Sequence, residues 1–241
     1  MVIERLCKGD ALSRVSVIAH RGASAYEPEN TLRAIRRALD LGADMVEVDV
    51  RATRDGHIVV IHDATVDRTT SGRGYVKDIT LEELKRLDAG LGERIPTLQE
   101  VISLVKGRAG LVIEIKVPGI EEKVLKIVND HKLHDDVIIT SFHHPTLLRV
   151  KGLMARVRTG IIIASRPVRP VQLALDAKSD AIFPKYIYLD LEVVEEAHKQ
   201  SLSVYPWTVD NLEDARLLIE MGVDGIVTNK PDILRQRTLM N

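Results

Sequence analysis

The sequence predicts an α/β fold, a TIM-like (β/α)8 barrel with a small insertion after its third strand. Three observations lead there. Short apolar runs alternate with charged segments of helical period almost to the end of the 241 residues, the pattern of repeated βαβ units around a parallel sheet. The length suits one barrel core. Polar side chains able to do chemistry collect where the apolar runs stop, which is where a barrel builds its site.

The apolar runs are, in order, VSVIAH, MVEVDV, HIVVIH, LVIEIK, VIITSF, VRTGIII, DAIFP, LSVYPW and DGIVT. Nine strands are one too many for a regular barrel. The surplus is expected between Arg51 and His62, where two strands follow one another without room for a helix. Helical period marks TLRAIRRALDLG, EEKVLKIVNDH, VQLALDAK, DLEVVEEAHKQ and NLEDARLLIEMG. From Ala64 to Gly92 the rhythm breaks into a turn-rich loop and a short helical stretch, LEELKRLDAG. Residues 64–92 therefore read as a small insertion within one domain spanning 1–241. The SGRG inside it matches neither GxxxxGK[ST] nor GxGxxG, so its glycines are expected to be structural.

Composition narrows the partners. With 34 basic and 35 acidic residues the formal net charge is -1, so no global field favours nucleic acid or an anionic membrane. The single cysteine, Cys7, excludes an internal disulfide and reads as an inert thiol in an amphipathic N-terminal stretch. No apolar run is long enough to span a membrane, and MVIERLCKGDALS lacks a signal peptide's apolar region. A soluble, cytoplasmic protein without stable membrane insertion is expected.

The candidate site begins with VIAHRGASAYEPENT, residues 17–31. His20 and Arg21 end the first strand, and the helix is expected to start only near Asn30 or Thr31. In the second strand Glu47 and Asp49 alternate with valines, so period two points both acids to one side. Glu114 and Lys116 are likewise two apart in LVIEIK, and His62-Asp63 ends the third run. Three converging carboxylates repel one another and lose hydration, which calls for a cation or a proton; among cations, oxygen ligands select Mg²⁺, Ca²⁺ or Mn²⁺. The alternative is that these acids pair with arginines or with Lys116 for structure alone. His20 and His62 are the acid and base candidates, because imidazole exchanges a proton near neutral pH. Arg21 offers a five-donor fork for phosphate and Lys116 a point charge. His57, His131, His134, His143, His144 and His198 are expected in structural or rim positions. Trp207 reads either as a wall of the substrate pocket or as a core anchor.

An ordered set of short motifs runs from Val17 to Pro231: HRG at His20, PENT at Pro28, EVDVRATRDG at Glu47, IHD at Ile61, Thr69 followed by SGRG, IPTLQE at Ile95, EIK at Glu114, SF at Ser141, WTV at Trp207 and DGIVTNKP near the end. In this the chain resembles the glycerophosphodiester phosphodiesterase family. The resemblance implies a barrel with an insertion after the HD segment and phosphodiester hydrolysis assisted by one divalent cation, Mg²⁺ or Ca²⁺, with Mn²⁺ also usable. Position by position it implies catalytic roles for His20 and His62, metal ligation by Glu47, Asp49 and Glu114, and phosphate binding by Arg21 and Lys116. It also implies support from Glu29 and Asn30, and an aromatic wall at Trp207. The expected reaction converts glycerophosphocholine or glycerophosphoethanolamine to glycerol 3-phosphate and an alcohol. A phospholipase D-type reaction on lysophospholipids or sphingomyelin is the enzymatic alternative. A noncatalytic phosphate- or metal-binding module is the other, and the presence of both histidines argues against it. Two positions depart from the family's common pattern: Asn229 stands where an acid is frequent, and Asp210 where Asn is frequent. Both are expected to lie clear of the acid triad and the histidine pair, and to bear on substrate choice.

Overall fold

Strand β2, Met45–Ala52, carries the sequence MVEVDVRA and is covered on both faces from Val46 to Val50. Val46, Val48 and Val50 belong to the main apolar cluster shared with the surrounding helices. Met45, on the opposite phase, packs against a second cluster of Ile18, Val112, Ile138, Ile162, Phe183, Tyr205 and Val227. Glu47 and Asp49 share the phase of Met45, so the strand sends its aliphatic residues outward and its acids inward. The computed structural model describes residues 15–234; Cys7 and its N-terminal stretch lie outside the described residues.

The other strands are β1 (Ser16–Ala19), β3 (Ile58–Val60), β4 (Gly110–Ile115), β5 (Val137–Ser141), β6 (Arg158–Ile163), β7 (Ala181–Pro184), β8 (Ser203–Val204) and β9 (Gly225–Thr228). Eight run in the order β8-β7-β6-β5-β4-β2-β1-β9, every neighbouring pair parallel. The seam between β8 and β9 is bridged beyond the ladder: Asp224 N donates to Val204 O at 3.1 Å, Val227 N to Pro206 O at 2.9 Å and Val209 N to Val227 O at 2.8 Å. Pro206 has no N–H to extend the ladder itself, which fits the brevity of β8. The result is a nearly closed barrel. β3 lies off this path, antiparallel to β2, and is the surplus strand expected between Arg51 and His62.

Eight α-helices are described: α1 (Leu32–Asp40), α2 (Leu81–Arg86), α3 (Leu98–Val105), α4 (Glu121–Asp130), α5 (His144–Leu153), α6 (Pro170–Asp176), α7 (Leu191–Lys199) and α8 (Leu212–Glu220). Their starts are chemically specified. Thr31, Thr80, Thr97, Asp190 and Asn211 each accept a first-turn backbone N–H, and Pro occupies the first turn of α5 and α6. Helical period alone did not predict α3. Its signal is the capping box of Thr97 and Glu100, in which side chain and backbone satisfy each other's donors.

Between β3 and α3, Val66, Val76, Leu84 and Ala89 gather with Val59, Ile61 and Ile95 in a satellite core. A bridge pairs Thr65 with Tyr75 around the SGRG turn. A Cβ on Gly72 would stand 2.7 Å from the Leu87 side chain, which gives that glycine a packing role, and Gly74 has φ +114°, a backbone conformation that favours glycine. No helix among the described residues is long and apolar enough to cross a membrane.

Within the barrel, the second cluster fills the lower layer. One step further along the strands, register sets Asp49 beside Glu114 and Glu114 beside Thr140. The fold thus stacks a polar layer on an apolar plug at the carboxyl ends of the strands. Access to that layer is shaped by the turn after β1, where Arg21 and Gly22 have φ of +54° and +80°. Gly22 presses on α1: a Cβ there would lie 2.6 Å from the Ala34 carbonyl carbon. Gly22→Ala is therefore expected to cost about 2 kcal/mol and to lower the melting temperature by roughly 4–8 °C, measured by thermal unfolding. An unchanged melting temperature would contradict this close approach.

Candidate active site

The end of β1 is held by His20 N donating to Thr228 O at 2.9 Å. The left-handed turn that follows brings the Arg21 backbone N–H to Glu47 Oε2 at 2.8 Å. The Arg21 side chain reaches two acids: Nη1 bonds Glu29 Oε1 at 2.9 Å, and Nε lies 3.1 Å from Asp49 Oδ2. Asn30, also left-handed at φ +59°, is buried against Asp49. Its Nδ2 donates to Asp49 Oδ2 at 2.8 Å while its Oδ1 accepts from Asp49 N at 3.3 Å. The helix cap is Thr31. Asn30 therefore steadies a site carboxylate and leaves capping to its neighbour.

Glu47, Asp49 and Glu114 are buried and offer ligand oxygens within 4.8 Å of one another. Burial is the largest effect on each carboxyl. In Glu47 burial combines with the charges of Asp49 and Glu114 to push the pKa well above the ordinary carboxylate range. Glu114 is pushed up to about 7 by burial and Asp49, against the pull of Lys116. In Asp49, Lys116 and Arg21 outweigh the burial and hold the pKa below its usual value. Lys116 Nζ stands 2.6 Å from Glu114 Oε1 and 3.3 Å from Asp49 Oδ1. Asp49 Oδ1 is nonetheless buried without a hydrogen bond. Once all three carboxylates are ionised they exceed the two neighbouring cations by one negative charge, and a buried oxygen short of a donor is what a hard cation would satisfy. The donor set fits a divalent ion.

His62 follows β3 and is partly exposed. Its Nδ1 lies 2.6 Å from Asp63 Oδ1; a carboxylate only accepts, so Nδ1 carries the hydrogen and Nε2 is the free nitrogen. Arg68 fixes Asp63 in turn, with Nε 2.7 Å from Oδ2, and its Nη2 and Nη1 bind the two oxygens of Glu29 at 2.8 and 2.9 Å. An unbroken chain of hydrogen bonds thus runs His62–Asp63–Arg68–Glu29–Arg21. Burial lowers the His62 pKa, opposed by Asp49 and Asp63; burial followed by the Arg21 charge lowers that of His20. Arg68 was absent from the expected residues, and only its place in DRTT six residues after His62 marks it in the sequence. Arg51, which bonds His62 O through Nε at 2.9 Å, was also missed.

Trp207 is anchored in the core at the ends of the barrel strands. Nε1 donates to Phe183 O at 2.8 Å and the ring packs on the inner cluster, yet it also meets Phe142 edge-on with centroids 5.6 Å apart. Phe142 is exposed and has Lys116 Nζ 5.7 Å from its ring centre, so the two aromatics form a wall beside the polar layer. His131 and His144 bond backbone carbonyls, and His198 faces Asp224, local roles of the kind expected.

One expectation is overturned. Asn229 and Asp210 do not lie clear of the histidine pair, because Asn229 Oδ1 is 2.7 Å from His20 Nδ1 and Asn229 Nδ2 is 2.5 Å from Asp210 Oδ2. The loops after β8 and β9 fold against the end of β1 across the barrel seam, a neighbourhood that sequence distance conceals.

A family model, the glycerophosphoryl diester phosphodiesterase family, matches residues 20–233. A glycerophosphodiester phosphodiesterase of Caldanaerobacter subterraneus subsp. tengcongensis is 47% identical over 231 residues, covering 90% of this chain and 95% of its own. One from Bacillus subtilis is 35% identical over 260 residues, covering 95% and 89%. Among solved structures, an Oleispira antarctica phosphodiesterase in complex with the product sn-glycerol-3-phosphate superposes with a TM-score of 0.87 at 29% identity, over 95% of this chain and 98% of that one. With nearly every described element inside the matched span, the chain belongs to the glycerophosphoryl diester phosphodiesterase family.

Proposed function

We propose that this chain hydrolyses glycerophosphodiesters such as glycerophosphocholine and glycerophosphoethanolamine to glycerol 3-phosphate and the free alcohol, using one divalent cation. The observation that carries the reading is the buried triad of Glu47, Asp49 and Glu114 flanked by two histidines whose Nδ1 atoms are both engaged. Mg²⁺ or Ca²⁺ suits these oxygen donors, with Mn²⁺ a further candidate. A bound cation would neutralise charge on a nonbridging phosphate oxygen and acidify a glycerol hydroxyl.

The protein's own groups then divide the work. One histidine takes the hydroxyl proton on Nε2 as the glycerol oxygen bonds to phosphorus. The other delivers a proton to the departing alkoxide as the P–O bond to the alcohol breaks. Water then opens the resulting cyclic phosphate with the two roles exchanged, so no net proton is gained or lost by the enzyme. Arg21 and Lys116 answer the charge that develops on the phosphoryl oxygens. Glu29 and Arg68 keep Arg21 and Asp63 in place, and Asn30 keeps Asp49 in place. Trp207 and Phe142 offer the leaving alcohol an apolar wall.

A second reading, hydrolysis of lysophospholipids at the same site, draws on the exposed Phe142, Ile187 and Tyr188 in the loops after β5 and β7. One assay separates the two. Metal-stripped protein is given each cation with glycerophosphocholine, glycerophosphoethanolamine or lysophosphatidylcholine, and glycerol phosphate, cyclic phosphate and free choline are quantified. Cation-dependent glycerol phosphate with transient cyclic phosphate is expected. Turnover of the lysolipid alone would favour the second reading, and silence with every substrate would favour a binding module.

His20→Ala and His62→Ala should each lower kcat by roughly 10² to 10⁴ with the parent melting temperature retained, measured by steady-state kinetics and thermal unfolding. Glu47→Gln should weaken cation binding, read by calorimetric titration. Parent values in all three would sink the site assignment.

Cation binding should also depend on pH in a stated direction. In metal-free protein the raised pKa of Glu114, about 7, means that its contribution to stability is complete below the unfolded carboxyl value. That contribution is lost as pH rises through about 7. A cation relieves the repulsion among the ionised acids, so the rise in melting temperature on adding it should grow by a few degrees between pH 5 and pH 8. A constant rise across that range would contradict the assignment.

A further inference from the structure

Asp210 and Asn229 touch each other, and Asn229 touches His20. Asp210 is occupied on both carboxylate oxygens: Oδ1 accepts from Asn229 N at 2.8 Å and Thr228 Oγ1 at 3.0 Å, and Oδ2 accepts from Asn229 Nδ2 at 2.5 Å. Because an ionised carboxylate only accepts, the amide of Asn229 must turn its nitrogen toward Asp210 and its oxygen away. That oxygen lies 2.7 Å from His20 Nδ1 and 2.7 Å from Ser24 Oγ. An amide oxygen also only accepts, so the hydrogen between it and His20 belongs to Nδ1.

We propose that Asp210, acting through Asn229, is a positioning residue for the reaction: it fixes the His20 tautomer with the proton on Nδ1 and presents Nε2 as the nitrogen that exchanges protons with substrate. The inference deepens the proposed function and rests on it for the kinetic consequence alone. His62 obtains the same tautomer by direct contact with the Asp63 carboxylate. His20 obtains it from a neutral amide with the charge one bond further away. The arrangement aims the ring without placing a negative charge against it, and so avoids the extra stabilisation of the imidazolium that an adjacent carboxylate confers. Burial and then the Arg21 charge lower the His20 pKa, against the Asn229 hydrogen bond and the charges of Asp49 and Glu29, which raise it.

The test has two independent arms. The first is the ¹⁵N spectrum of the His20 ring in the parent protein labelled on histidine, at a pH where the ring is neutral. A protonated Nδ1 and an unprotonated Nε2 are expected; the opposite tautomer overturns the proposal whether or not the protein hydrolyses anything. The second arm compares Asp210→Asn with the exchange variant Asp210→Asn/Asn229→Asp. In Asp210→Asn the amide of Asn229 is no longer forced one way, so a mixed tautomer and a fall in kcat of about tenfold, with KM within about twofold, are expected. The exchange variant puts the carboxylate directly on Nδ1. It should recover most of kcat while moving one limb of the kcat/KM profile to higher pH by roughly one unit. A residue that merely braced the loop would give neither the tautomer change nor the shifted limb. Parent kinetics in Asp210→Asn, no recovery in the exchange variant, or recovery with an unmoved profile would each overturn the proposal. An inactive parent that shows the expected tautomer would instead count against the proposed substrate.

Discussion

A fully buried carboxylate in the mouth of the barrel constrains everything around it. Asp49 has no exposed surface, and desolvating an ionised group costs several kcal/mol unless partners compensate. Its partners come from three separate segments: Arg21 from the turn after β1, Asn30 from the approach to α1, and Lys116 from the end of β4. Two of these, Arg21 and Asn30, hold left-handed backbone conformations, and Asn30 N donates to Arg21 O at 3.0 Å. The irregular stretch between the first strand and the first helix is thus shaped by a demand on its side chains. It has to bring a guanidinium and an amide back over the strand ends, and Gly22 supplies the close turn that lets it do so.

The triad is underneutralised once all three acids are ionised. Lys116 and Arg21 are engaged with the acids themselves, so the groups suited to phosphate also serve as counter-ions of the protein alone. A cation entering the triad would take over part of that task and free their donors for a phosphoryl group. Under the proposed function, binding of metal and readiness for substrate would be linked through the same two side chains.

The two histidines occupy comparable positions at strand ends, with different electrostatic surroundings. His62 is partly exposed and faces a carboxylate that Arg68 also binds; His20 faces an amide and lies beside Arg21. Environments that differ in this way are what allow two identical side chains to take different parts in proton transfer.

Much of this was legible in the sequence because it is local. The apolar runs became strands, the surplus strand fell between Arg51 and His62, and helix starts followed from side chains placed one to three residues from the backbone groups they satisfy. Period two put Glu47 with Asp49 and Glu114 with Lys116 on shared faces. Other features required the folded chain. Arg68 reaches Glu29 across 39 positions and Asn229 reaches His20 across 209; no periodicity reports a contact of that range. The closure of β8 on β9 depends on hydrogen bonds around a proline that interrupts the regular ladder. The sequence by itself determined which residue types stood at the strand ends and which side of each strand they faced. Tertiary structure alone decided which ends met, because barrel closure sets that neighbourhood and the cost of burying a charge selects the partners within it.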